Sequence, residues 1–142
     1  MIKKTLVGLV LGASLASNVS AETLKHDMDM LATSLSLVQR SFLLNDRQKS
    51  VQYLADLKKN IKHTLGNKEK VVNLLPDGLK YRSRIAINSG KMINQYIDQI
   101  DEIYADKNLK NIEAQMESQD ALLQIQAQCY KCHNLVRDWD KR

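Results

Sequence analysis

Five consecutive residues near the C-terminus, Cys129-Tyr130-Lys131-Cys132-His133, set two thiols and an imidazole at a spacing that could do chemistry. C-x-x-C-H is the signature of covalent c-type haem attachment. Two cysteine sulfurs add across the vinyl groups on one edge of a haem, and the adjacent histidine reaches the iron from the same backbone segment. Three other chemistries use a C-x-x-C pair: a redox-active dithiol, half of a zinc site and a small structural disulfide. The dithiol wants a strand before the pair, whereas residues Asn108 to Gln128 have helical period and contain neither Gly nor Pro. Zinc wants four ligands, but the other histidines, His26 and His63, lie far away in sequence and there is no third cysteine. The disulfide stays open as the mark of a haem-free helical interaction module.

Covalent haem attachment belongs to export in bacteria, and residues Met1 to Ala21 read as a cleavable signal peptide. Lys3 and Lys4 form the charged start, Leu6 to Leu15 the apolar run, and Val19-Ser20-Ala21 the small-residue cleavage site. The run is interrupted by Gly8, Gly12 and Ser14 and falls short of the roughly 20 residues needed to span a bilayer. Cleavage after Ala21 leaves a mature domain from Glu22 to Arg142, with no membrane span expected in it and the periplasm as its location. Loss of Lys3 and Lys4 leaves 19 basic residues against 16 acidic ones, so the formal net charge falls from +5 to +3. Nucleic-acid binding, which wants a dense basic stripe, gains little support from this balance.

The elements that must position the motif are helices. The mature part holds three glycines, Gly66, Gly78 and Gly90, and one proline, Pro76, too few breakers for many short strands. A first helix is expected from about Thr23 to Leu44, with Leu24, Met28, Leu31, Leu35, Val38 and Phe42 on a heptad-like seam. Asn45-Asp46 offers a turn and an N-cap for a second helix, about Arg47 to Leu65, with Val51, Leu54, Ile61 and Leu65 on one face. Residues Gly66 to Lys80 form the longest connection, turning at Pro76-Asp77-Gly78. A third helix follows from about Leu79 to Ala105, its apolar content running from Ile85 through Ile93, Ile97 and Ile100 to Ile103. Gly90 inside it is either a site of close approach or a plain weak point. A fourth helix begins near Asn108 and continues through Leu109, Ile112, Met116 and Leu123 into the motif. At about 100° per residue, Leu122, Ile125, Cys129, Cys132, His133 and Val136 share one stripe of it. A motif on an apolar stripe places a porphyrin inside a helix bundle.

With Cys129-x-x-Cys132-His133 near the end of the last of four helices, the chain resembles the class II c-type cytochromes, the cytochrome c-prime family with its low-spin His/Met members. The resemblance covers the whole mature chain. It implies an all-α, antiparallel up-down-up-down four-helix bundle with one covalent haem c. Cys129 and Cys132 are then the thioether anchors and His133 the proximal iron ligand. Arg137, one turn later, matches a basic residue the family carries near the haem, while Val136 stands where the family often has an aromatic residue. In the more widespread class I cytochromes the motif lies near the N-terminus and a methionine ligand follows it; no methionine follows His133 here.

The resemblance gives the distal face to the first helix, where Met28 on the apolar seam is the candidate distal ligand. A thioether favours iron(II) and raises the reduction potential, which suits electron transfer. The competing reading makes Met28 a core residue that fills an irregular gap. Met30 lies about 200° around the helix from it, off the seam. His26, at the presumed helix start, reads as a surface residue, and His63 as a solvated one complementing a helix C-terminus.

Two expected functions follow. One is a periplasmic electron carrier with His133 and Met28 on the iron; the other is a five-coordinate protein that binds nitric oxide or carbon monoxide. Lys68, Lys70, Lys80, Arg82 and Arg84 form a basic group that could steer docking to acidic periplasmic redox partner proteins, and the resembled family commonly forms homodimers. No catalytic constellation is present, so no enzyme is expected.

Overall fold

The computed structural model describes the backbone of residues 13–136 and the side chains of residues 23–134. Residues 1–12 of the expected leader, Arg137 and the side chain of Val136 lie outside the described residues. The described chain is all-helical: α1 (Ala13–Leu43), α2 (Arg47–Leu65), α3 (Lys68–Leu74), a 3-10 segment (Asp77–Arg82), α4 (Ser83–Ala105) and α5 (Asn111–Val136). The backbone of α1 runs unbroken through the position after Ala21 where cleavage is expected.

Local chemistry accounts for the boundaries. Asn45 takes a left-handed φ of 52°, which asparagine tolerates better than most residues, and so turns the chain out of α1. Asp46 caps α2 by accepting from the backbone N–H of Lys49 at 3.0 Å. The long connection is not a loop. Asn67 caps α3 in the same way, accepting from Lys70 N–H at 3.0 Å, and Val71 and Leu75 go into the core. The fourth long helix begins at Asn111 rather than Asn108. There Glu113 reaches back to accept from Lys110 N–H at 2.8 Å, one half of a capping box.

One hydrophobic core draws on every α-helix. Helix α1 packs on α2, α2 on α4 and α4 on α5, and α3 wedges against α1, α2 and α4. The α1–α5 seam, by contrast, carries hardly any close backbone approach. One expected core position shifts. Val51 is 41% exposed, and Leu57 takes the buried position on α2. On α5 the expected stripe is buried at Leu122, Ile125 and Cys132, joined by Ala114, Ser118 and Ala121, while Ile112, Met116 and Leu123 are half exposed or more. Small side chains at Ala114, Ser118 and Ala121 let the backbones of α4 and α5 approach closely.

Gly90 marks a close approach. A Cβ there would stand 3.0 Å from Leu65 Cβ and 3.5 Å from Ile61 Cγ2 on α2. The nearer atom is fixed to the α2 backbone and cannot swing away. Gly90→Val is therefore expected to destabilise the fold by about 1–3 kcal/mol, the usual scale of overpacking, read as a lowered denaturant midpoint.

Candidate cofactor site

The seam of α1 divides into two parts. Val38 and Phe42, near its C-terminal end, are buried in the core. Leu24, Met28, Leu31 and Leu35 pack against the core but stay partly exposed. The last three of these face a cleft of about 350 Å³ between α1 and α5, while Leu24 lines a smaller void beside it. Met28, Leu31 and Leu35 form one wall, and Cys129, Cys132 and His133 the other. Ile61 and Leu65 of α2 and Ile93 of α4 make the floor. Cavities of this size and lining are where small molecules and cofactors bind.

Four residues singled out from the sequence thus share one cavity, although they come from opposite ends of the chain. Cys132 is buried at 6% exposure and Cys129 half-buried, whereas His133 lies at the more exposed rim. Met28 and Cys132 also border a small void closed by Val71, Leu74 and Leu75. Thr64 faces the same void, and its Oγ1 is buried without a hydrogen-bond partner. Met30 is not part of the cleft wall, and His26 and His63 are exposed. No family model, curated protein or solved structure matches the chain.

The contribution of α3 was missed in the sequence, where its residues read as a connection. Its signal was an Asn67 cap followed by Val71, Val72, Leu74 and Leu75, an apolar run after a capping residue. Helix α3 is tied to α1 by Lys70, whose Nζ stands 3.1 Å from the buried carboxylate of Asp27 and donates to the carbonyl of His63 at 3.0 Å. Asp27 precedes Met28, so this ion pair helps to fix α1 beside the cleft. It also removes Lys70 from the basic group expected to steer partners. Lys80 is engaged by Asp77 at 2.6 Å, and Arg82 by the hydroxyl of Tyr81 at 2.7 Å. Lys68 and Arg84 are exposed.

Both cysteines are free thiols. Burial pushes each thiol from its ordinary value of 9.0 up to about 11, with Cys129 adding a smaller repulsive contribution at Cys132. Thiolates are the reactive form of cysteine, so the pair is chemically quiet at neutral pH. Between pH 9 and 11 the unfolded chain releases thiol protons that the folded chain keeps. The unfolded state then binds fewer protons, and stability falls as pH rises. Haem-free protein is expected to lose stability across that window relative to the Cys129→Ala/Cys132→Ala variant, with no divergence below pH 8. Denaturant midpoints against pH measure the difference, and the paired comparison cancels the titration of Tyr104.

Among the described residues, no group of three or more His, Cys, Asp or Glu is placed to hold a metal ion. No helix among them is long and apolar enough to cross a membrane.

Proposed function

We propose that the chain is an exported class II c-type cytochrome, a periplasmic electron carrier with one covalent haem c in the α1–α5 cleft. The observation that carries this reading is the shared cavity of Met28 with Cys129, Cys132 and His133. The residues fit the group. Cys129 and Cys132 each add S–H across a vinyl C=C, so that a C–S and a C–H bond form and no oxidant is required. As thioether anchors they are not metal ligands, which is compatible with the lack of a bare-ion site. His133 would supply a nitrogen ligand and Met28 a sulfur ligand to the iron, while Leu31, Leu35, Ile61 and Ile93 would exclude water. When bound, the haem supplies a one-electron iron(II)/iron(III) couple, whose potential a His/Met pair raises. In this reading α1, α2, α4 and α5 form the up-down-up-down bundle, and α3 is an insert that closes the small void beside Met28. Arg137 would stand near the haem, one turn beyond its proximal ligand.

Partners in this reading are periplasmic redox proteins met through exposed cations such as Lys68 and Arg84, with a homodimer as a further expectation. A second reading has one specific support: Met28 also borders the void under α3, so its sulfur has another place to rest. A five-coordinate iron facing Leu31 and Leu35 would then bind nitric oxide or carbon monoxide. The optical spectrum of the oxidised and reduced protein separates the two. A low-spin spectrum with a methionine-sulfur charge-transfer band is the expected result. A high-spin spectrum in the unmutated protein would sink the carrier reading in favour of gas binding.

A further inference from the structure

Met28 stands between two spaces of unequal size. Together with Leu65 and Cys132 it borders both the α1–α5 cleft, about 350 Å³, and the void beside α3, about 10 Å³. A volume as small as the second holds about one water molecule. The methylthio end of a methionine is larger. As the fold stands, the sulfur therefore finds room in the cleft, and it enters the void only if the wall of the void yields. Val71, Leu74 and Leu75 of α3 form much of that wall. Val71 and Leu75 are 3% and 4% exposed, whereas Leu74 is half-buried. The wall is also anchored: Lys70 holds α3 to Asp27, the neighbour of Met28, and α3 packs on α2 and α4 as well as on α1.

A flexible thioether settles where there is space for it. We propose that α3 selects the coordination of the iron: by keeping the void too small for the sulfur, Val71, Leu74 and Leu75 act as positioning residues that turn Met28 into the cleft. This rests on the cofactor reading, and within that reading it names what favours electron transfer over gas binding. Sulfur in the cleft closes the sixth position of the iron, and sulfur in the void leaves it open. Widening the void stabilises the open state without altering a ligand. The apparent affinity for carbon monoxide rises in proportion to the population of that state.

Leu74→Ala is the test. The isopropyl group it removes is at least as bulky as the methylthio end of Met28, and a truncation at a half-buried position is compatible with folding. In the haem-bearing, full-length protein the expected result is a shift from low-spin toward high-spin iron, with carbon monoxide affinity of the reduced form raised by roughly tenfold. Leu74→Ile, which conserves volume, should stay low-spin. Ile100→Val, in the core but bordering neither space, should lower the denaturant midpoint and leave the spectrum alone. In haem-free protein methyl-labelled at methionine, Leu74→Ala should move the Met28 resonance and leave that of Met116 in place. A Met28-ligated, low-spin protein whose spectrum Leu74→Ala does not change would overturn this inference and leave the carrier reading standing. So would an equal spectral shift in Leu74→Ile or Ile100→Val, or an unmoved Met28 resonance. A colourless protein, or a high-spin one before any substitution, would overturn the inference and the carrier reading together.

Discussion

Protein produced in a host that matures c-type cytochromes is expected to gain the mass of one haem that survives denaturation, and Cys129→Ala/Cys132→Ala to lose it entirely. The effect is all-or-none because two S–C bonds are the attachment, and with both gone, acid and organic solvent should extract any residual pigment. The single variants should keep one bond and a coloured but less abundant protein. The loss should also be felt in the fold. Leu31 and Leu35 are partly exposed along the cleft, and covering each is worth on the order of 1 kcal/mol. The double variant is therefore expected to melt well below the haem-bearing protein. A colourless full-length protein of unmodified mass would overturn the cofactor reading and return the cysteines to the disulfide alternative. Intact-mass spectrometry under denaturing conditions decides between them.

The half-exposed seam explains why the sequence was informative about some elements and not others. Leu24, Met28, Leu31 and Leu35 have the same period as Val38 and Phe42, so periodicity alone assigns all six to a core. The structure separates them, because a cleft opens between α1 and α5 along Met28, Leu31 and Leu35, while Val38 and Phe42 are buried. On α5 the stripe was legible from Leu122, Ile125 and Cys132, whereas the buried Ala114, Ser118 and Ala121 on the same helix carry little apolar signal. Short-range chemistry was easier to read: Asn45-Asp46 turns and caps, and α2 has its expected bounds, since capping depends on neighbours in sequence. Helix α3 escaped because a short apolar run after Asn67 gains helical stability mainly from tertiary packing.

Met28→Ala carries the largest functional effect expected at the site. If its sulfur holds the sixth position, removal should leave the iron five-coordinate and high-spin, and lower the potential by on the order of 0.1 V, well inside the range axial ligands command. Carbon monoxide should then bind the reduced variant rapidly, whereas the unmutated protein must first release the thioether. Met30→Ala is the control that gives the result its meaning. Met30 lies two residues on, outside the cleft wall, and its carbonyl accepts from Ser34 Oγ at 2.9 Å within the helix. Its removal should change neither spectrum nor potential. The converse pattern, a spectrum altered by Met30→Ala and unmoved by Met28→Ala, would require α1 to turn by about half a revolution. The buried Asp27 beside Met28 resists such a turn, because rotation would carry its carboxylate away from Lys70. Met28 is thus held toward the cleft by a charge pair next to it, as well as by the apolar seam on which it lies.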